Sequence, residues 1–419
     1  MTATSMGTAL AAATGERVDT TPDLARKTIS AERMAVEEFL ARGGHAYGFT
    51  TRLGHLDDDA ADAEAAEGFL ADHLVGETFA IDAAAVRLMT TVKLAQLGHG
   101  GSGISVSLFD ALRDHLTTAG DAVEGAWLSS YGAGDVVPAA WWLRAVISGT
   151  DVRLARGDFI AAVNGNFIST AVAILAAVRA VDAFAEYLAM LPPRPDGARA
   201  PRSSAAREVL EVLPPRAAGD RTNVQSAVSG RDSTPFVTAV ASSIAAAASA
   251  IEDRLDGPSA NPLLHLAGGE ARFTSQNGFL DFGVTTAMAG IGQTAVMAVG
   301  HVQRLVEARA QAEGSSALVQ APKIAEALVV RAAAQAAPRR FSGALSQGVE
   351  DMFDASLIGA VSALHSTALL EEALRIARMA GVTAVADPQA VRSVLARSCG
   401  VEEIPIGLAE RLSAPLLLH

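Results

Sequence analysis

The sequence predicts an all-α fold, or at least a mainly α fold, built from long and closely packed helices. Half of the 419 residues are hydrophobic, 19% are charged and only 5% are aromatic. Alanine is abundant; it is the best helix former, and its small side chain lets helices approach closely. Long stretches also space their apolar residues as helices do. The chain is long enough to bury a large core.

Helical patterns begin soon after the N-terminus and recur to the end of the chain. Ser30 is a candidate N-cap for a helix that Gly43 and Gly44 end. Residues 83–98 place Val86, Met89, Leu94 and Leu97 near one face. The later helices are predicted over Val163–Leu191, Phe236–Leu255, Phe279–Glu313, Pro322–Ala336 and Val349–Ala380.

The breaks between these patterns predict the organisation of the chain. Residues 1–22 are rich in Thr, Ala and Gly, and we expect a mobile arm. Residues 23–191 are expected to form a mixed N-terminal domain, and the Pro-rich stretch 192–220 a connection. Residues 221–419 are expected to form a helical bundle. Several helices are apolar on all sides, which one chain can hardly bury, so we expect an oligomer with a shared central bundle.

Composition excludes several classes of function. A net charge of −13 gains nothing from a phosphate backbone, so we expect no nucleic-acid partner. The apolar stretch Phe167–Val178 is too short to span a bilayer, and Phe279–Val299 carries Asp281 and Gln293, so we expect no membrane partner. No signal peptide is apparent, and we expect a cytoplasmic protein.

Two motifs suggest a cofactor or a metal only weakly. The segment Gly98–Gly103, GHGGSG, fits a dinucleotide pattern, but a helix rather than a strand is predicted before it. The nine histidines lack zinc-site spacing, Asp57–Asp59 is better explained as a solvated turn, and Cys399 is alone. We expect no metal.

A series of short segments carries a more specific signal. In chain order they are YGFTTRLG (47–54), LADHLVG (70–76), LAQLGHGGSGIS (94–105), SSYGAGDVVPAAWW (129–142), VNGN (163–166), QSAVSGRD (225–232), PSANPLL (258–264), SQNGF (275–279) and VEDMFD (349–354). Each is weak alone. In this order they resemble the conserved stretches of the histidine and aromatic amino acid ammonia-lyase family over nearly the whole chain.

The resemblance implies a fold, an assembly and a site. The fold is the long central helix bundle of ammonia-lyases and fumarases, assembled as a homotetramer with shared active sites for a small molecule. Tyr47 matches the catalytic base. Free tyrosine titrates near pH ~10, so we expect Arg231 or Arg52 to help lower its pKa. The other matched positions are Asn164 and Glu350 as catalytic residues and His73, Gln225, Arg231 and Asn277 around the substrate, where the arginine would pair with a carboxylate.

Two departures from the family pattern put its cofactor in doubt. The family cyclises an Ala-Ser-Gly tripeptide into methylidene-imidazolone, an electrophile whose methylene comes from the serine. Here the tripeptide is Gly132-Ala133-Gly134, and alanine has no hydroxyl to eliminate. Val228 stands where the family has a tyrosine that supports the cofactor. We therefore expect no cofactor.

Three functions stay open at this point. The first is an enzyme without the electrophile, which catalyses acid–base elimination or the reverse conjugate addition, including cyclisation, on a small carboxylate derived from an amino acid or a secondary metabolite. The second is a histidine or aromatic amino acid ammonia-lyase inactivated by serine-to-alanine replacement at position 133. The third is a non-catalytic pseudoenzyme. Each matched residue also has a structural alternative: Asn164 could cap the next helix, and Arg231 and Glu350 could form a structural ion pair.

Overall fold

Helices make up most of the chain in the computed structural model. It describes residues 4–15, 23–62, 64–117, 120, 122–192, 195, 199–214, 227–314, 316–336 and 345–418. The helices are α1 (Met6–Ala13), α2 (Asp23–Ala41), α3 (Ala65–Asp72), α4 (Ala83–Gly98), α5 (Val106–His115), α6 (Val136–Ile147), α7 (Asp158–Val163), α8 (Phe167–Ala189), α9 (Ser204–Val212), α10 (Thr234–Leu255), α11 (Phe282–Glu313), α12 (Ala321–Gln335), α13 (Ser356–Met379), α14 (Pro388–Arg397) and α15 (Leu408–Ser413). This architecture confirms the predicted fold class.

Two small two-stranded antiparallel sheets complete the fold, and sequence patterns did not reveal either of them. Strand β1 (Phe79–Ile81) pairs with β2 (Val123–Gly125), and β3 (Leu263–Ala267) pairs with β4 (Glu270–Thr274). The second sheet, the hairpin β3–β4, packs against α2, and Phe273 contacts Phe39 of α2 and Phe49 of the loop that follows it. It thereby places the segment after β4 beside the loop that follows α2.

Helix α8 is the centre of the core. It packs against α4, α10, α11, α13, α14 and α15, and nearly all of its residues are buried. Its buried cation, Arg179, donates two hydrogen bonds to the Glu371 carboxylate on α13, at 2.8 and 2.6 Å, and a third to Ser413 Oγ at 3.1 Å. A buried charge is tolerated only with such partners.

The long helices around α8 leave apolar faces uncovered in the single chain. Among the described residues, the segment containing α8, together with α10, α11 and α13, has the length and composition needed to cross a membrane. In the 18-residue apolar stretch of the α8 segment, 94% of the residues are buried. In the corresponding stretches of α10, α11 and α13, 44%, 50% and 56% are buried. These three helices therefore carry apolar surface that the described part of the chain leaves uncovered.

The predicted N-terminal arm is wrong for the part of it that the structure describes. Ser5 caps α1, because its hydroxyl accepts the Thr8 N–H at 3.1 Å. Met6 and Leu10 are fully buried, and the helix packs on α4. The Arg87 side chain of α4 donates to the Ala13 carbonyl at 3.0 Å, which ties the end of α1 down. Residues 1–3 and 16–22 of the predicted arm lie outside the described residues.

Helices α11 and α13 begin later than the sequence predicted, and both differences shape the site. Helix α11 starts at Phe282, since the Asp281 carboxylate accepts the Val284 N–H at 2.9 Å. Helix α13 starts at Ser356, whose N–H donates to Asp354 at 2.9 Å. The residues before it turn back on themselves through a bridge between Leu345 and Glu350. Glu350 consequently lies in a loop rather than in a helix.

Other boundaries follow the sequence more closely. The Pro-rich connection contains a short helix, α9, which packs on α10 and α14. Residues 215–226, including Gln225, lie outside the described residues. The glycine-rich segment 98–103 follows helix α4, as predicted. There the Gly101 N–H donates to the Glu32 carboxylate at 2.7 Å.

Candidate active site

Six of the predicted site residues line one cavity of about 850 Å³. They come from segments far apart in the chain, between the loop after α2 and the loop before α13. The six are Tyr47, His73, Ala133, Asn164, Asn277 and Glu350. The resemblance therefore selected positions that the fold brings together.

Tyr47 lies in the loop that follows α2, with its hydroxyl held by the backbone. Its phenol oxygen accepts the Gly54 N–H at 2.9 Å. Burial raises the pKa of Tyr47, and the nearby carboxylates of Glu350 and Asp57 raise it further, against the lowering effect of the Gly54 hydrogen bond. The expected lowering by Arg52 or Arg231 is therefore wrong for a single chain, and Tyr47 is a protonated phenol at neutral pH.

A second tyrosine, which sequence reasoning missed, faces the same cavity. Tyr131 immediately precedes Gly132, and its hydroxyl donates to Glu350 Oε1 at 3.1 Å. Burial raises the pKa of Tyr131, and Glu350, Tyr47 and Asp135 raise it further. The available signal was a tyrosine directly beside a loop already assigned to the site. The cavity thus holds two phenols and a carboxylate.

The loop between Tyr131 and α6 is built around glycine. Gly132 and Gly134 have φ angles of +86° and +85°, which residues with a Cβ adopt reluctantly. A Cβ at Gly132 would also overlap the Asp354 carbonyl oxygen, while the Asp354 N–H donates to the Gly132 carbonyl at 2.9 Å. The family's tripeptide needs alanine at the first position and a hydroxyl at the second. The residues present do not fit methylidene-imidazolone.

A buried carboxylate anchors the far side of this loop. The Asp135 side chain accepts the Ser130 hydroxyl at 2.6 Å and the Ser169 N–H at 3.0 Å. Burial raises the pKa of Asp135 to about 6, against the lowering effect of these hydrogen bonds. Asp135 therefore joins the loop to the first turn of α8.

Asn164 lies between α7 and α8 with its amide oxygen aimed at no partner. Its Oδ1 is buried and has no hydrogen-bond partner among the described residues. The residue before α8 is Asn166, so Asn164 is not the cap of that helix. The unpartnered oxygen, on a residue that lines the cavity, can accept a hydrogen bond from a bound molecule.

A buried lysine, which the sequence reasoning also missed, donates a hydrogen bond to the backbone carbonyl of Asn164. Lys93 is 1% exposed within α4, and its ammonium donates to the Asn164 carbonyl oxygen at 2.9 Å. The ammonium also lies 5.1 Å from the Phe167 ring centroid. Burial lowers the pKa of Lys93 to about 7. A lysine inside an apolar helical run was the only sequence signal for this contact.

His73 and Asn277 also line the cavity, from different segments of the chain. His73 follows α3, its Nδ1 is 2.6 Å from the Phe69 carbonyl oxygen, and its ring centroid is 5.0 Å from that of Phe159. Since a carbonyl only accepts, Nδ1 carries the proton, and in the neutral ring Nε2 is an acceptor. Asn277 follows β4, beside Gln276, and its carbonyl accepts the Leu280 N–H at 2.9 Å.

Val228 and Arg231 do not join this cavity in their own chain. Val228 is 72% exposed, and the neighbouring Ser229 carbonyl accepts from His301 Nε2 at 2.8 Å. The other ring nitrogen of His301 is bonded to the Tyr187 hydroxyl at 2.9 Å. Tyr187 lies near the end of α8 and the cavity near its start, so about 30 Å of helix separates them.

Among the described residues, no three His, Cys, Asp or Glu side chains are grouped as metal ligands would be. The acidic run does not form a cluster of its own: Asp57 alone lines the cavity, where it acts on Tyr47. The side chains that line the cavity include phenols, carboxylates, imidazoles and amides.

Comparison with known proteins agrees with this architecture. Residues 5–119 match the model of the aromatic amino acid lyase family. A probable histidine ammonia-lyase of Halobacterium salinarum is 31% identical over 182 residues, which cover 37% of this chain and 34% of that protein. The match thus spans about a third of the relative's length.

Solved structures share the fold over a much larger part of the chain. A phenylalanine aminomutase of Pantoea agglomerans has a TM-score of 0.74 at 14% identity, covering 99% of this chain and 97% of its own. A tyrosine aminomutase of Streptomyces globisporus has a TM-score of 0.73 at 16% identity, covering 99% of this chain and 95% of its own. A histidine ammonia-lyase of Trypanosoma cruzi has a TM-score of 0.72 at 17% identity, covering 90% of this chain and 82% of its own. Residues 5–119 are therefore similar in sequence to the aromatic amino acid lyase family, and nearly the whole chain shares the fold of these solved structures.

Proposed function

We propose that this protein is a cytoplasmic lyase-type enzyme that works without methylidene-imidazolone. It catalyses an acid–base elimination or the reverse conjugate addition, including ring closure, on a small carboxylate derived from an amino acid or a secondary metabolite. One observation carries the proposal. Tyr47, Tyr131 and Glu350 converge in one cavity, beside a loop whose central residue, Ala133, has no hydroxyl from which the electrophile could form.

The protonation of Tyr47 favours the addition direction. A raised pKa keeps the phenol protonated at neutral pH, so it is ready to give a proton to carbon. In elimination the same group must first lose its proton, so that rate is expected to increase with pH. The addition rate is expected to stay level and then decrease as Tyr47 ionises. Proton transfer by a placed side chain contributes about 10²–10⁴ in rate, which suffices for an activated substrate.

We also propose a homotetramer whose active sites are shared between chains. The uncovered apolar faces of α10, α11 and α13 support it. The position of the 228–231 segment also supports it, because His301 joins Ser229 to Tyr187, about 30 Å along α8 from the cavity of its own chain. In such an assembly, Arg231 of the partner subunit binds the substrate carboxylate through its two-pronged guanidinium. A cation so near would also lower the pKa of Tyr47.

The rival function, an ammonia-lyase inactivated at position 133, draws support from one residue. His73 stands where histidine ammonia-lyases carry a histidine, and it lines the cavity. Adding L-histidine, L-tyrosine and L-phenylalanine after Ala133→Ser separates the two functions. Rapid release of the conjugated acid in this single variant supports the inactivated lyase and contradicts the proposed function.

Proton transfer to carbon is the direct test. The protein is incubated in D₂O with ammonium and trans-urocanate, trans-cinnamate or trans-4-coumarate, and with a pool of amino acids and unsaturated carboxylates. Mass spectrometry then measures deuterium bound to carbon in the products. We expect labelled product with the natural chain, none with Tyr47→Phe, and unchanged labelling with Tyr187→Phe, the buried tyrosine bonded to His301. No labelling by the natural chain, or equal labelling by Tyr47→Phe, contradicts the proposal.

A further inference from the structure

The cavity contains a second phenol for which the acid–base proposal has given no separate role. Building on the proposed function, we infer that Tyr131 is a catalytic residue: with Glu350 it exchanges the proton of the attacking or leaving group, while Tyr47 exchanges the proton of carbon. The sequence places Tyr131 directly before the loop in which the resemblance implies a cofactor. In this chain that loop presents a phenol to the cavity instead.

The position of Tyr131 is fixed on both sides by the backbone. On one side, the Ser130 hydroxyl donates to Asp135 at 2.6 Å and accepts the Gly132 N–H at 3.1 Å. On the other, the Gly132 carbonyl accepts the Asp354 N–H at 2.9 Å. Asp354 is four residues from Glu350, so these contacts fix the phenol and its acceptor relative to each other. Fixed geometry of this kind is what proton transfer in an active site requires.

The hydrogen bond between the two groups gives the pair its chemistry. The Tyr131 hydroxyl donates to Glu350 Oε1 at 3.1 Å, and burial and this carboxylate raise the pKa of Tyr131. Burial and the same carboxylate also raise the pKa of Tyr47. Both phenols are therefore protonated at neutral pH, with one carboxylate acting on both of them. A proton released inside the cavity has a defined acceptor.

The proton transfers balance in the addition direction. The lone pair of the nucleophile X–H forms the C–X bond, and the electron pair of the C=C bond takes the proton of Tyr47. The proton leaving X passes to Tyr131 as Tyr131 passes its own to Glu350. Transfer of a proton from the Glu350 carboxyl to the Tyr47 phenolate then restores the site. Elimination follows the same steps in reverse, with HX as the product.

Fluorine NMR of the whole protein tests the pair. Incorporating 3-fluorotyrosine labels all three tyrosines of the chain, Tyr47, Tyr131 and Tyr187, and Tyr→Phe variants assign the three resonances. The resonances are followed from pH ~4 to ~8, where carboxyl groups in proteins titrate. The groups that act on Tyr131 are Glu350, Tyr47 and Asp135. Because Asp135 acts on Tyr131 and has a pKa of about 6, the chemical shift of the Tyr131 resonance is expected to change near pH 6 in every variant that keeps Tyr131.

Two matched carboxylate variants give the decision. Glu350→Gln is expected to move the Tyr131 resonance, because it replaces the carboxylate that accepts the Tyr131 hydroxyl, whereas Asp57→Asn, which removes a cavity carboxylate acting on Tyr47, leaves the Tyr131 resonance in place. The Tyr187 resonance is the internal control and should not respond to either change. A Tyr131 resonance that is indifferent to Glu350→Gln overturns the inference.

Labelling in D₂O separates this inference from the proposed function. Tyr131→Phe is expected to slow deuterium transfer to the unsaturated acids about 10²–10⁴-fold. Its Tyr47 fluorine resonance should still shift when trans-urocanate is added. Tyr131→Phe could instead transfer deuterium as fast as the natural chain while Tyr47→Phe gives no labelling. That result would remove Tyr131 from the mechanism and leave the proposed function unchanged. No labelling by the natural chain refutes the proposed function, and the fluorine titration then still decides whether the pair exists.

Discussion

Replacing Lys93 by methionine should change how the stability of the protein depends on pH. Lys93 is buried in α4, where its ammonium donates to the Asn164 carbonyl at 2.9 Å. Burial lowers its pKa from 10.5 to about 7. Methionine is unbranched, similar in length and without a proton to exchange, so it fills the same space with little strain. The substitution therefore isolates the titration of one buried amine.

The sign of the effect follows from proton binding in the two states. In the unfolded chain Lys93 keeps its proton up to about pH 10, whereas in the folded chain it loses the proton near pH 7. The unfolded state thus binds more protons between these values, and the free energy of unfolding increases with pH. Between pH 7 and pH 9 this contribution amounts to about 2 kcal/mol. Lys93→Met removes it.

Unfolding at pH 7 and pH 9, at one fixed protomer concentration, measures the effect. From pH 7 to pH 9, the free energy of unfolding of the natural chain should increase by about 2 kcal/mol more than that of Lys93→Met. Other groups, such as Cys399, whose pKa burial raises to about 12, contribute equally to both chains and cancel. Lys27→Met, on the exposed face of α2, is the matched control and should behave like the natural chain. Equal gains in all three proteins would refute the argument.

Three further outcomes are expected. Light scattering should give a tetramer, and a stable monomer at micromolar concentration would refute the shared bundle. Ala133→Ser alone should not create an efficient ammonia-lyase, whereas adding Val228→Tyr should help more than either change, because effects within one catalytic unit are not additive. Gly132→Ala should lower the melting temperature more than Gly149→Ala does. Both glycines have positive φ, but only at Gly132 would the added Cβ overlap another atom, the Asp354 carbonyl oxygen. Similar decreases in melting temperature would show that this overlap does not destabilise the protein.

Much of the fold was predictable because helices dominate it and their apolar spacing is local information. The buried helix α8 and the connection containing α9 follow from patterns a few residues long. Helix α1 does not, since eight residues rich in Ala and Gly carry too little periodicity. Its burial depends on packing against α4, a tertiary contact. The hairpin β3–β4 was missed for a similar reason, as its five-residue strands are short and largely exposed.

The site was predictable only where the family segments pointed to it. Tyr47, Asn164 and Glu350 meet in one cavity because the order of these segments reflects a common fold. Tyr131 was missed because its partner lies 219 residues away in sequence. Lys93 was missed because full burial of a lysine is visible only in three dimensions.

The position of the 228–231 segment relative to the cavity was also beyond the sequence. Segment order assigns Arg231 to the site without saying from which chain it comes. The hydrogen bonds of His301, to Tyr187 and to the Ser229 carbonyl, place the 228–231 segment at the far end of α8. The expected pKa of Tyr47 failed for the same reason, because no sequence pattern states which charges surround a phenol in one chain.

The intact mass of the purified protein, taken from a preparation active in the D₂O assay, tests the central claim most directly. Cyclisation of the loop into methylidene-imidazolone would remove two water molecules. With Ala133 at its centre and Gly132 packed against Asp354, the loop should stay linear. We expect the encoded mass, unchanged. An active protein whose mass is lower by two waters would contradict the account.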